Sequence, residues 1–485
     1  MSFPVISNVI EETNKWFITI NDPSKLIEFV NSQLKPKLKE KNDNGEVFTP
    51  LQMVDELLDK LDESYKKQYK LSIFCEPNFK WFDPAVGIGN FPILLFQRLM
   101  SGLVNLIEDE EQRRKHILEN MIYSAELTPH NVCIYKQIFC ATTYKLNIYQ
   151  GNSLTMDIIK EFNLESHFKG FDVVMGNPPY NANGIKHKGS KNIYVYFSKK
   201  ALLEWLKPNG YLVFIHPPVY RIPNHKIQHT KTNLNELYTN KTIAYIKMYS
   251  IDETQKLMYV MINVDFIIIQ NSPNTLLNYT TIIDTKNANH EILIKPNDFI
   301  PNFGFSILTK IREKSHFNNI QLILTSEMHA QKTQGSCYKN IHGITSKGIK
   351  ITMSDKKHKY ASSPKLIING IGSYNYVYYD KIGEFGLTQS PIGIINPSAN
   401  TLQLIQSPLF HYIANSTKII GNNFNIKTSH FLPIIPETIE INNLNDLYNY
   451  FHFSNDEITE LNSFSIPIYK NQELECSKKL ECSKK

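Results

Sequence analysis

Four consecutive residues, Asn177-Pro178-Pro179-Tyr180, carry the densest chemistry in this 485-residue chain. Two successive prolines remove two backbone donors and stiffen the chain, so the carbonyls around them are free and fixed in direction. Such a corner suits a planar primary amine, with the Asn177 side-chain oxygen and the Pro178 carbonyl each accepting one N–H. The amine's lone pair then turns out of conjugation toward an electrophile. Positioning and electrostatics carry such a step without a strong general base. Tyr180 adds a ring on which a planar group stacks. A rigid structural turn is the competing reading.

A second group follows an apolar run: Asp83-Pro84-Ala85-Val86-Gly87-Ile88-Gly89-Asn90-Phe91. Its glycines allow close backbone approach to a ligand, and Asp83 at a strand end is placed to pair with a cation. A dinucleotide phosphate loop is the rival, but G-x-G-x-x-G is absent and Phe91-Pro92 replaces the third glycine. Glu126 closes the run MIYSAE, where a carboxylate holds both hydroxyls of a ribose or is simply a solvated surface group. Gly151-Asn152-Ser153-Leu154 comes after the next strand, and Asn152 is either a contact to a nucleoside base or an ordinary turn residue. Upstream, Phe48-Thr49-Pro50 ends the run GEVFTP at a helix start, with Thr49 as N-cap and Gln52 at the capping-box position.

These groups need strand ends to hold them. From about residue 72 short apolar runs alternate with helical stretches, the pattern of β/α units and a parallel sheet. Strands are expected near 79–83, 121–126, 146–150, 171–176, 210–216, 243–249 and 260–269, with helices including 91–106 and 193–206. In such a sheet ligands bind at the carboxyl ends of the strands, where all the motifs fall. The reading is an α/β fold divided into an N-terminal helical segment at 1–42 (a helix over 22–40), a catalytic domain at 43–270, a linker at 271–299, a second domain at 300–470 and a low-complexity tail at 471–485. Short strands are expected in the second domain at 365–369, 375–379 and 402–406.

Composition narrows the class. With 42% hydrophobic and 20% charged residues the chain is globular. No apolar run reaches the ~18 residues of a membrane helix, and acidic residues stand where a signal peptide has its apolar core, so a cytoplasmic protein without membrane partners is expected. Six cysteines show no C-x-x-C pairing or His/Cys metal spacing, so neither a metal nor a disulfide framework is expected. Residues 300–430 hold 14 Lys and Arg against 5 Asp and Glu, which suits a polyanion or is a solvated basic surface. There Tyr374, Tyr376, Tyr378 and Tyr379 lie near Lys365 and Lys381, as in a nucleic-acid contact surface or a buried strand.

The order GEVFTP, DPAVGIGNFP, GNPPY resembles the gamma group of amino-methyltransferases, and most of all the methylase half of type IIG-like restriction-modification enzymes. The resemblance spans residues 43–270 by motif and extends more weakly through SHFLPIIPE and DLYNYFHFSNDEITELN. It implies a Rossmann-like methyltransferase sheet with S-adenosyl-L-methionine as donor, followed by a mixed α/β target-recognition domain. It further implies double-stranded DNA as partner and an adenine flipped from it as target. By position, Phe48, Thr49 and Pro50 match the cofactor loop, with Asp83, Pro84, Gly87 and Gly89 in the glycine motif. Glu126 matches the ribose ligand, and Asn177, Pro178, Pro179 and Tyr180 match the catalytic tetrapeptide, with Asn177 facing the cofactor as well. Asn152 stands where many relatives have Asp, and the gap from Gly89 to Glu126 is long, with extra charged residues (EDEEQRRK) in the helix between. Tyr259 and Phe266 are candidates for a second base-stacking aromatic. About 40 residues ahead of GEVFTP leave no room for a nuclease, so a solitary, monomeric DNA adenine methyltransferase is expected. Methylation of an RNA adenine or a protein glutamine is the alternative, since the corner holds any planar amine or amide. A methylase-like domain that only binds nucleic acid would carry a damaged tetrapeptide, and here it is intact.

Overall fold

Apolar runs become strands laid side by side wherever both their faces are covered. In the computed structural model the described residues are 19–20, 26, 28, 49–181, 192–223, 232–275, 277–314, 322–323, 335–369, 375–388, 391–419 and 432–469. Phe48, Tyr374, most of 22–40 and the tail 471–485 lie outside them. The chain divides into two units, Met1–Phe299 and Ile300–Lys485.

In the first unit the order is α1 (Leu51–Tyr69), β1 (Trp81–Asp83), α2 (Asn90–Gly102), α3 (Glu110–His116), β2 (Ile122–Glu126), α4 (Pro129–Ile138), β3 (Asn147–Gln150), α5 (Ile158–Glu161), β4 (Phe171–Gly176), α6 (Tyr194–Lys200), β5 (Leu206–His216), α7 (Leu234–Thr239), β6 (Lys241–Tyr249), α8 (Ile251–Met258), β7 (Val264–Pro273), β8 (Thr280–Ile283) and β9 (Asn289–Ile292). The nine strands form one α/β sheet in the order β3-β2-β1-β4-β5-β7-β6-β8-β9. Strands β1 to β5 are parallel, and β7 runs antiparallel between β5 and β6. All six residues of β4, FDVVMG, are buried, as expected of a strand covered on both faces. Chain order reverses between β1 and β4, the switch point outside which α/β sheets bind ligands.

Helix α1 lies over this sheet through its apolar face of Val54, Leu57, Leu58 and Leu61, all buried. Arg98 of α2 pairs with Asp55 and Asp59 of α1, and Lys247 of β6 with Glu56.

Residues 271–299, expected to be a linker, instead carry β8, which pairs with β6, and β9, which pairs with β8, and together they extend the sheet. Thr280 and Ile282 are buried while Thr281 and Ile283 are half-exposed; an alternation this short is hidden in a polar run.

The second unit is mixed α/β. It holds α9 (Phe305–Lys314), β10 (Leu322–Ile323), β11 (Tyr338–Thr345), β12 (Gly348–Ser354), β13 (Lys365–Asn369), β14 (Tyr376–Asp380), β15 (Gly386–Leu387), β16 (Pro391–Ile395), α10 (Ala399–Ile405), α11 (Pro408–Ser416), α12 (Leu444–Tyr450), α13 (Asn455–Asn462) and β17 (Ile468–Tyr469). Its sheets run β10-β16-β13-β14-β17 and β12-β11-β15. Residues 402–406, expected as a strand, fall on α10, because the Ser398 hydroxyl accepts the Thr401 amide and starts a helix with Leu404 and Ile405 buried. Lys365, read as part of either a contact surface or a buried strand, is fully buried and its ammonium meets Asp380 at 2.6 Å. Tyr378 is buried, while Tyr376 and Tyr379 are half-buried, so this strand is core and not a contact surface.

Candidate active site

Strand β4 delivers the tetrapeptide. Its last residue, Gly176, has φ +147°, and a Cβ there would lie 2.7 Å from Asp83 Oδ1. Glycine thus lets the carboxylate at the end of β1 touch the chain that leads into Asn177. Asp83 is 1% exposed, and its Oδ1 accepts the Ala85 amide at 3.0 Å. Among the described residues no Lys or Arg pairs with it. Burial pushes its carboxyl up to about 8, with the charge of Glu126 adding to the effect and the Ala85 hydrogen bond opposing it.

The glycine loop turns through Gly87 at φ +57° and Gly89 at φ +108°. At Gly89 a Cβ would press on Phe139 and Tyr135 at 3.0 and 3.1 Å. Gly87 N–H donates to Glu126 Oε2 at 2.9 Å and Thr128 N–H to Oε1 at 2.8 Å. Two backbone donors therefore fix the Glu126 carboxylate, with Asn131 Nδ2 a more distant third at 3.5 Å from Oε1, and Oε2, which takes only the Gly87 amide, keeps a lone pair for a further hydroxyl. Ser153 Oγ donates to the Pro84 carbonyl at 2.7 Å, tying the turn after β3 to the same loop. Asn152 is exposed, and its Oδ1 accepts the Leu154 amide at 3.0 Å; this side chain closes its own turn.

Asn177 Nδ2 donates to Thr49 Oγ1 at 3.1 Å. Asn90 Nδ2 donates to the Thr49 carbonyl at 2.7 Å, and Asn90 Oδ1 is buried with no hydrogen-bond partner. Thr49 was expected to cap α1, yet the helix begins after Pro50 with no side-chain cap. Tyr180 is 6% exposed, its ring edge-on to Tyr194 with centroids 6.4 Å apart. Asp83, Gly87, Gly89 and Glu126 are thus linked into one cluster, and Asn177 adjoins it through Gly176. A nucleoside cofactor with a cationic tail fits this cluster: a buried carboxylate without a cation, an anchored diol acceptor and an orphaned amide oxygen stand along one loop. Among the described residues no group of His, Cys, Asp and Glu is disposed to hold a metal ion, and no helix is long and apolar enough to cross a membrane.

Over residues 55–253 the sequence matches the family described as Eco57I restriction-modification methylase. This region resembles a restriction-modification methylase domain. A Mycoplasma pneumoniae protein described as an uncharacterized adenine-specific methylase is 26% identical over 307 residues, which cover 50% of this chain and 67% of that protein. The DNA complex of the Type IIL restriction-modification enzyme MmeI is similar in fold, with TM-score 0.51 and 11% identity over 84% of this chain and 69% of that one. A modification subunit of a putative type I restriction enzyme from Vibrio vulnificus YJ016 aligns with TM-score 0.38 and 14% identity, covering 55% of this chain and 52% of that chain. This chain thus matches about half the length of that subunit.

Behind residues 177–180 lies a buried polar layer that the sequence motifs did not announce. Tyr194 stacks on His216 at 5.2 Å, and His216 Nε2 lies 2.9 Å from the Tyr238 hydroxyl, which donates to Ser198 Oγ at 2.8 Å. Burial pushes His216 down to about 4, so the ring is neutral. Next to it Tyr220 donates to Asp265 at 2.7 Å, and Arg221 pairs with the same carboxylate at 2.9 Å, both charges fully buried. The segment His216-Pro217-Pro218-Val219-Tyr220 at the end of β5 was the available signal: a second double-proline corner beside the first. Phe266 is fully buried against Tyr249, which removes it as a base-stacking candidate; Tyr259 is 46% exposed.

Proposed function

We propose that this chain transfers a methyl group from S-adenosyl-L-methionine to the exocyclic amine of an adenine flipped out of double-stranded DNA. The observation that carries this reading is that Asn177 follows Gly176, whose backbone touches the buried, cation-free Asp83. Amine acceptor and cofactor cluster are therefore adjacent. Asp83 would hold the cofactor's ammonium and Glu126 its ribose hydroxyls, with Gly87 and Gly89 allowing close approach. Asn152 is the weakest of the cofactor assignments, because its side-chain oxygen already serves Leu154. When bound, the cofactor supplies an electrophilic methyl on a sulfonium.

The chain's own residues handle the amine. Asn177 Oδ1 and the Pro178 carbonyl accept its two N–H bonds and turn its lone pair toward the methyl. Tyr180 offers a ring to the base, and such stacking is worth ~1–3 kcal/mol. A C–N bond forms, the C–S bond breaks with its electron pair left on sulfur, and the amine sheds one proton to solvent. Flipping an adenine costs a few kcal/mol in lost stacking and pairing, offset by contacts to the duplex. The basic second unit is the natural source of those contacts. Tritiated-methyl transfer to duplex DNA, with digestion to nucleosides, tests the proposal. Label in N6-methyl-2′-deoxyadenosine supports it, and label recovered only in RNA or protein overturns it.

A further inference from the structure

A cavity of about 600 Å³ opens between the second half of α1 and the strands β5, β7, β6 and β8. It reaches the amino-terminal half of β6, whereas Asn177 follows the carboxyl end of β4. Its wall is set by the pairing register. Tyr211 stands opposite Gln270, and Gln270 opposite Thr242, so these three side chains share one face of the sheet. Further along, Ile243 pairs with Ile269 and Tyr245 with Ile268, which leaves Ala244 as the extra residue of a bulge. Side chains alternate between faces along a strand, so without the bulge Tyr245 would point away from the face of Thr242. With it, Tyr245 joins that face; bulges re-aim side chains in this way and are over-represented beside functional sites. Lys247 and Tyr249 follow on the same face and reach Glu56 of α1 at 2.6 and 3.3 Å, so this is the face that α1 covers.

The re-aimed tyrosine meets no polar group. Tyr245 is 2% exposed and its hydroxyl has no hydrogen-bond partner, a rare condition for a buried polar atom. Burial, together with the charges of Glu56 and Glu63, raises its ionisation, so the hydroxyl stays protonated. Both carboxylates are already engaged, Glu56 by Lys247 at 2.6 Å and Glu63 by Lys60 at 2.7 Å. One helical turn beyond Glu63, Lys67 lines the same cavity, exposed and without an ion-pair partner among the described residues. Leu277 and Tyr279 also line it, 81% and 58% exposed. The geometry points to this cavity as a binding site for a small aromatic carboxylate, held by the Tyr245 hydroxyl and the Lys67 ammonium, with its ring against Tyr279 and Leu277. A hydroxyl serves donors as well as acceptors, but Lys67 on the same cavity selects an anion, which offers acceptors only. A single unpaired ammonium close to Glu63 favours one negative charge over two, hence a carboxylate over a phosphate monoester. The site is independent of the methyl-transfer reading.

The probe is 2-naphthoate, with 2-naphthamide as its uncharged counterpart and 2-naphthyl phosphate as the dianion, each titrated into the full chain by calorimetry. Naphthoate is expected to bind with a dissociation constant of roughly 1 mM or tighter, and the other two more weakly. Tyr245→Phe keeps the ring and deletes the hydroxyl. It is expected to weaken naphthoate binding by about 10-fold, the scale of a hydrogen bond to a charged group, without lowering the Tm of the free protein, where that hydroxyl bonds to nothing. Lys67→Gln is expected to weaken naphthoate by roughly threefold at low salt and leave naphthamide unchanged. Naphthoate that fails to bind at about 10 mM, binds no better than naphthamide or the phosphate, or binds the Tyr245→Phe protein as well as wild type overturns the proposal. A Tyr245→Phe protein that melts several degrees below wild type also overturns it, because the hydroxyl would then be structural. S-adenosylhomocysteine affinity is expected to be the same in wild type and both variants, so failure here is distinct from failure of the methyl-transfer reading.

Discussion

Asp83 is held in a state that ordinary carboxylates avoid. Unfolded, it titrates near 3.8; folded, burial raises it to about 8. Between those values the folded chain keeps a proton that the unfolded chain has released. Stability contributed at this position is therefore present at low pH and lost as pH rises from about 4 to 8. A cation bound beside Asp83 favours the ionised form, so S-adenosylhomocysteine affinity rises from pH 6 to 8 and binding releases a proton. Thermal melts and calorimetry across that range measure both effects, and Asp83→Asn flattens both. Identical pH profiles for wild type and variant would exclude the role. At Asn177 the expectation is simpler. Asn177→Ala removes the amine acceptor without touching Asp83 or Glu126, so methyl transfer disappears while S-adenosylhomocysteine binding stays measurable. Full activity in the tritium assay would show that the amide is not needed.

The elements bring these residues together because strand ends stop where the motifs begin. Strands β1 to β7 were legible within a few residues, since runs such as FDVVMG, apolar but for Asp172, suit a covered parallel strand. The site residues in sequence motifs were legible for the same reason: Asp83, Glu126 and Asn177 each follow an apolar run. Less was readable where partners come from far along the chain. The Thr49 hydroxyl leaves its helix for a side chain 128 positions away, and no local pattern signals that. Strands β8 and β9 were missed because β8 buries only one face, through Thr280 and Ile282, and β9, at the sheet edge, buries no residue fully. The His216 layer was missed because a lone histidine after an apolar strand looks like any other. Its neighbour gives a test. Arg221 and Asp265 join the end of β5 to the start of β7 with neither charge exposed, so Asp265→Ala strands a buried guanidinium. The expected loss is about 3–5 kcal/mol, read as a fall in the denaturant midpoint of the first unit. A variant within ~0.5 kcal/mol of wild type would mean that water reaches Arg221 in solution.

At the scale of the whole molecule the question is where a polyanion would be held, and the charge of the second unit is less diffuse than its composition suggests. Between residues 338 and 359 the sequence has six lysines and a single acid, Asp355. This stretch holds the β11–β12 hairpin and the turn after it. Lys339 meets Glu384 at 3.0 Å and Lys359 lies over Tyr360, whereas Lys347, Lys350, Lys356 and Lys357 are exposed. Each lysine that neutralises a DNA phosphate releases counterions and adds about 0.9 to the slope of log affinity against log salt. If this hairpin grips the duplex, changing those four lysines to glutamine lowers the slope by up to about 3.6, with the loss of affinity largest at low salt. S-adenosylhomocysteine affinity should not move, since the cofactor cluster lies wholly in the first unit. The measurement is duplex binding between 50 and 200 mM salt for both proteins. An unchanged slope would exclude this hairpin as the surface that grips the duplex and leave the proposed methyl transfer untouched.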